Sequence, residues 1–330
     1  MFTPKMSVIL SNVGNCSDRY LTTGYSEGFT LGELFDRVAS IDGVEGVELI
    51  GNSHIRKDNI EEIRGHLDRT GLKLVSIIPD HFAQMIWGKG AFCSKDEAIR
   101  KKAIKHTKDM MDAAAALNCK TVSLWPGQDG YDYYFQGDFI NDRMNFMNAV
   151  RECCAYNTSI NVSIEYKPKE PRIRSYPSNI SNVLLMVREI GMENCGVTID
   201  YGHALAAYEN VAESVALAKM HGDKLFHLHM NDNFTLWDDD MIVGSVHTIG
   251  YLEFFYWLKK TDYKGFISTD QYPYREDGCE AVRESVLWMK QFINTVNRMD
   301  DSEIEKILSS GDAVLASKFV RRVLTDGLSQ

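Results

Sequence analysis

Short apolar runs rich in β-branched residues alternate along this chain with longer stretches in which apolar positions recur every three or four residues. Eight short runs stand out, at 5–14, 43–51, 73–79, 119–127, 160–168, 195–203, 224–232 and 265–273. Their length and their Val and Ile content predict strands. Between them, stretches such as 60–71, 98–118, 144–157 and 211–222 place apolar residues at i, i+3, i+4 and i+7. That is the period of a helix burying one stripe. Gly71, Asn118 and Gly222 close three of these stretches just before the next strand, where a helix end favours residues that tolerate a left-handed backbone.

Strand–helix alternation repeated eight times predicts a parallel sheet closed into a (β/α)8 TIM barrel. A doubly wound open sheet is the competing architecture. It is disfavoured because no G-x-G-x-x-G or G-x-x-x-x-G-K turn follows any of the eight runs. No Pro/Gly/Ser-rich linker divides the chain, so residues 1–298 are expected to form one barrel domain. Residues 299–330 read as a C-terminal helical extension of two helices, whose apolar content predicts docking on their own barrel or on a neighbouring subunit.

Composition narrows the function. The 330 residues are 44% hydrophobic and 25% charged, with a formal net charge of −10. The absence of clustered Lys and Arg argues against nucleic acid or an anionic membrane as partner, while leaving cations and neutral sugars open. Seven scattered cysteines without C-x-x-C spacing predict reduced thiols. No run of 18 apolar residues occurs, and the start lacks a signal-like apolar region. The expected location is cytoplasmic.

The candidate chemistry gathers where the later strands end. The segment FHLHMNDNFTLWDDD (226–240) alternates His227 and His229 along an apolar run, then supplies Asp232, Asp238, Asp239 and Asp240. Glu165 and Lys167 end the fifth run, Asp200 and His203 the sixth, and Asp270 the eighth. Barrel enzymes build their sites at these carboxyl ends. Taken singly, each residue has a plain reading: a strand-end carboxylate is commonly solvated, and a lone His on an apolar run is commonly a core residue. Together, acids crowded on one rim would repel one another unless a divalent cation compensated them. Mixed imidazole and carboxylate donors suit Mn²⁺ or Co²⁺ better than Mg²⁺.

The segments SLWPGQDG (123–130), IEYKPKEPR (164–172), TIDYGHA (198–204), FHLHMND (226–232) and DDDMIVGS (238–245), with the Asp270 strand end, resemble the xylose isomerase-like barrel superfamily. Within it they are most similar to L-rhamnose isomerases and related aldose–ketose isomerases. The resemblance implies two divalent metal ions, Mn²⁺ foremost with Mg²⁺ or Co²⁺ as alternatives. It assigns Glu165, Asp200, His229 and Asp270 to the first, and His203, Asp238 and Asp240 to the second. It further implies that a small sugar chelates the first metal, that the second acidifies a water to deprotonate O2, and that Lys167 stabilises charge on O1 during a hydride shift. Asp240 falls with the catalytic groups, while Trp125, His203 and His247 fall to substrate binding. His54, just past the second strand, and His81, after the third, are the candidates for opening the sugar ring. A homodimer or homotetramer is the family's habit.

The main rival is a ketose 3-epimerase of the same superfamily, with one metal and two facing Glu residues as its acid–base pair. Asp270 in place of Glu, together with Lys167 and the Asp238-x-Asp240 step, favours the isomerase. A metal-dependent endonuclease would need a basic groove, which the net charge of −10 argues against.

Overall fold

The computed structural model describes residues 1–17 and 19–326. Eight parallel strands close a barrel: β1 (Lys5–Ile9), β2 (Val44–Ile50), β3 (Lys73–Ile78), β4 (Thr121–Leu124), β5 (Asn161–Glu165), β6 (Cys195–Asp200), β7 (Leu225–Met230) and β8 (Phe266–Thr269). They pair in sequence order around the ring, with β8 returning to β1. The chain is therefore the expected (β/α)8 barrel.

Helices α1 (Leu31–Ala39), α2 (Ile60–Thr70), α3 (Glu97–Ala116), α4 (Asn141–Tyr156), α5 (Ile180–Ile190), α6 (Tyr201–Ala206), α7 (Val211–Met220), α8 (Thr248–Lys260) and α9 (Gly278–Arg298) make up the outer layer. Their starts follow local chemistry. Thr30 and Glu33 form a reciprocal capping box on α1, and Asp96, Asn179, Asn210 and Asp277 each accept from backbone N–H groups of the helix they begin. Gly71 takes a left-handed backbone beyond α2, and Asn118 and Gly222 do the same before β4 and β7.

The strands are shorter than the apolar runs, and two local features differ from the sequence reading. The sixth run ends as a strand at Asp200, because that residue caps α6: its carboxylate accepts from the His203 N–H at 2.8 Å. The Asp200-x-x-His203 step therefore spans the first turn of a helix. A small antiparallel ribbon, Gly130–Tyr131 against Arg174–Ser175, joins the loops after β4 and β5. Two-residue strands leave no periodicity to read.

Beyond the barrel lie α10 (Asp301–Ser310) and α11 (Ala313–Asp326), with residues 327–330 of the expected extension outside the described chain. Ile304 is buried in the main core, and Phe319 and Val323 pack against it. Lys259 and Lys260 of α8 pair with Asp301 and Glu305. These described contacts dock the helices on the chain's own barrel.

The barrel interior is more polar than its outer layer. Ser7 bonds Ser268, and Thr198 bonds both Ser123 and Ser163, at 2.7–2.9 Å. Among these hydroxyls lies Glu48, fully buried on β2 between the outward Val47 and Leu49. All seven cysteines are buried and unbridged.

Candidate active site

A cavity of 300 Å³ opens at the carboxyl ends of the strands, at the small end of the roughly 300–1,000 Å³ typical of ligand pockets. One side is apolar: Ile9, Ile50 and Ile78 from the ends of β1, β2 and β3 form a separate small cluster with Phe82. Trp125 extends that wall, its ring 4.6 Å from that of Phe82. The other side carries Glu165, Lys167, His203, Asp238, Asp240 and Asp270. A larger cavity of 740 Å³ opens at the opposite end of the barrel, beside Lys73, Lys120 and Phe226. Of the predicted donors and their neighbours, only His227 borders it.

The strand register brings the first donor set together. Asp200 on β6 is the direct partner of His229 on β7, and His229 in turn pairs with Ser268 two residues before Asp270. One ligand atom from each of Glu165, Asp200, His229 and Asp270 falls within 4.8 Å of all the others. His229 Nδ1 lies 3.2 Å from Glu165 Oε2 and 3.6 Å from Asp270 Oδ2, yet makes no hydrogen bond although it is buried. No Lys or Arg among the described residues pairs with these three acids. Burial lifts the Asp200 carboxyl to about 6 and that of Asp270 to about 7, against the pull of His203 and His229 and with added repulsion from neighbouring acids. An unpartnered imidazole nitrogen facing three carboxylates, two of them raised toward neutral pH, is a donor set that suits a divalent cation. These residues fit a metal.

Behind His229 stands a residue that the strand-end reading overlooked. Glu48 accepts from His227 Nε2 at 2.7 Å and from His229 Nε2 at 3.3 Å. Burial would raise its carboxyl, but the two imidazoles outweigh that and hold it well below the usual carboxylate range. Fixing Nε2 as the donor leaves Nδ1 to face the acids, the usual orientation of a metal-binding His backed by a carboxylate. A Glu at an inward position of an otherwise apolar strand was the available signal. Asn231, also missed, donates to Asp200 Oδ2 at 2.8 Å.

The second predicted set is arranged differently. Asp200, His203 and Asp238 can offer ligand atoms within 4.8 Å of one another. His203 Nε2 lies 3.3 Å from Asp238 Oδ2, and its Nδ1 lies 3.3 Å from Glu165 Oε1 without a hydrogen bond. Burial disfavours charge on His203, but Asp200 and Asp238 outweigh it and raise the imidazole to about 9. Asp240 reaches the same cavity through a left-handed backbone, φ +49°, which Asp tolerates, and not through the extended alternation expected of Asp238-x-Asp240. Its carboxylate is paired with Arg19. Lys167 Nζ lies 2.7 Å from both Asp238 Oδ2 and Glu170 Oε2 and 5.3 Å from the centre of the Trp125 ring. These acids keep it protonated despite its burial.

Three expected residues are placed elsewhere. His54 turns back on its own strand, its Nδ1 accepting from the Ile50 N–H at 3.0 Å, and burial holds it down to about 4. His81 sits among Trp87, Phe92 and His106 with Nε2 3.2 Å from the Ala103 carbonyl, and burial with His106 holds it down to about 3. Neither ring borders the cavity. His247 bonds Asp232 at 2.8 Å, and Asp232 also accepts from the Val246 and His247 N–H groups. That pair organises the loop after β7, outside the cavity lining.

Comparison with known proteins agrees with this architecture. The family model for the xylose isomerase-like TIM barrel matches residues 35–292. Xylose isomerase from Thermus thermophilus is 27% identical over 235 residues, which are 69% of this chain and 60% of that protein. Xylose isomerase from Thermus caldophilus is 26% identical over 256 residues, 73% of this chain and 65% of that protein. The chain thus spans 60–65% of the length of these relatives. Among solved structures, a D-tagatose 3-epimerase-like protein superposes with a TM-score of 0.69 at 22% identity, covering 89% of this chain and 98% of its own. D-allulose 3-epimerase from Methylomonas sp. gives 0.68 at 16% identity, with coverage of 88% and 98%. At these identities the structural likeness speaks for the fold.

Proposed function

Because the chain belongs to the xylose isomerase-like TIM barrel family, we propose that it is a metal-dependent aldose–ketose isomerase acting on a small sugar. The observation that carries this reading is the four-donor cluster of Glu165, Asp200, His229 and Asp270 sharing one cavity with a buried, charged Lys167. Glu165, Asp200, His229 and Asp270 would hold a divalent ion, Mn²⁺ foremost, which would supply Lewis-acid polarisation of the sugar.

The chain's own groups do the rest. Lys167 Nζ donates to the negative charge that develops on O1. Asp238, whose Oδ1 is buried without a partner, and Asp240 line the same cavity and are assigned to accept the proton of O2. Loss of that proton, transfer of hydride from C2 to C1 and return of a proton to O1 turn the open-chain aldose into its 2-ketose without change of composition. Trp125, Phe82 and the three isoleucines exclude water from the C1–C2 bond and fix its orientation. Ring opening is assigned to neither His54 nor His81, since both face away from the cavity.

A ketose 3-epimerase is the second reading, favoured by structural neighbours of that name. Against it stands the shorter Asp270 where that chemistry uses a second Glu, as well as Lys167. The test is to incubate metal-free protein with Mn²⁺, Mg²⁺ or Co²⁺ and panels of aldoses and ketoses, following exchange by NMR. Metal-dependent exchange at C1 and C2 is the expected result. Inversion at C3 alone would transfer the protein to the epimerases.

A further inference from the structure

Arg19 lies in the loop between β1 and α1, far in sequence from every donor, yet it ends inside the cavity. Its guanidinium bonds Glu170 at 3.2 and 3.4 Å and the Asp238 carbonyl at 2.8 Å, and pairs with the Asp240 carboxylate. It stacks 4.9 Å above the Tyr272 ring. Only 13% of its side chain is exposed. Lys167 meets two of these acids, Glu170 and Asp238. Glu170 and Asp238 thus face two resident cations and Asp240 faces Arg19, with His203 Nε2 3.3 Å from Asp238. The first cluster has no Lys or Arg partner among the described residues.

The second donor group brings together Asp200, His203 and Asp238, and an ion there that also drew in Asp240 would stand beside both cations, so that one must give way. Lys167 follows β5 directly, and its N–H is bonded to the Pro177 carbonyl. Arg19 reaches in from a long loop by its side chain alone, so it is the group that can withdraw. We infer that Arg19 is the resident counter-cation of the Asp238–Asp240 pair, and that a second divalent ion binds only by displacing its guanidinium. The two sites therefore load in sequence, the first tightly and the second by competition with the protein's own arginine. This rests on reading the four-donor cluster as the tight metal site.

The test counts Mn²⁺ on the full, metal-stripped chain through the EPR signal of unbound ion during titration. The wild type is expected to take one equivalent tightly and a second about tenfold more weakly, the fold-change that competition worth about 1.4 kcal/mol produces. Arg19→Gln, similar in length but neutral, is expected to tighten the second equivalent by about tenfold and leave the first unchanged. Arg19→Lys keeps the charge and is expected to keep the second equivalent weak. Two equally tight equivalents in the wild type, or an Arg19→Gln titration matching the wild type, overturn the inference and leave the first site standing. The absence of any tight equivalent in the wild type overturns the reading of the first site, and the inference with it. First-site affinity also reports that the variants fold, because its ligands lie at the ends of four strands.

Discussion

At the carboxyl ends of β5 to β8 the chain places Glu165, Asp200, His229 and Asp270, whereas at the ends of β1 to β3 it places Ile9, Ile50 and Ile78. The later half of the rim concentrates charge and leaves Asp200 and Asp270 raised toward neutral pH. The earlier half supplies an apolar wall, two histidines held neutral by burial, and one arginine that crosses the cavity. Opposite environments thus act on one residue type: His203 is held protonated by Asp200 and Asp238, while His54 and His81 are stripped of charge by their surroundings. The clustered donors thus come from the later half and the apolar wall from the earlier, which contributes Glu48 and Arg19 as its charged groups.

The largest test of this division is Asp200→Asn, which removes an acid common to both donor groups. Turnover is expected to vanish, and calorimetry should show the tight Mn²⁺ site weakened by more than about 100-fold, above the range for residues that only support a ligand. Lys167→Met should lower kcat by about 10²–10³-fold, the scale for losing one aimed charge-stabilising donor, while the first Mn²⁺ equivalent binds as before. Near-wild-type turnover in that variant would remove Lys167 from the chemistry.

Glu48→Gln probes the one group from the earlier half that reaches His229. Mn²⁺ affinity is expected to fall about 10–100-fold, and saturating Mn²⁺ should restore most of kcat. A loss that metal cannot rescue would instead mean that Glu48 only stabilises the fold.

The smallest effect separates the two kinds of histidine by acid. His54 and His81 titrate near 4 and 3 in the fold against 6.5 when unfolded. Between those values the unfolded chain binds more protons, so stability falls as pH drops below 6.5. From pH 7.5 to 5 each should cost roughly 2 kcal/mol in urea unfolding, and replacing both with Gln should flatten that slope.

Legibility followed the same divide. The four-donor set could be read because each member closes an apolar run, and period-two alternation tells which side of a strand it faces. Glu48 was hidden within such a run, in Val47-Glu48-Leu49, where only knowing that the barrel interior is polar reveals its purpose. Arg19 could not be read at all, since its partners Glu170 and Asp240 come from loops more than a hundred residues away. His54 and His81 sit near strand ends as expected, but the path of the following loop decides which way a ring turns. Asp240 shows the same limit: a left-handed backbone replaced the extended step expected of it.

Glu48 also ties chemistry to topology. Its strand, β2, stands across the ring from β7, with β1 and β8 between them on one side. The carboxylate that orients His229 is therefore present only once the ring is shut. A chain still missing that contact can own all four donors and yet leave the imidazole free to turn. Tight uptake of an ion by the four donors would then report a barrel whose ring has closed.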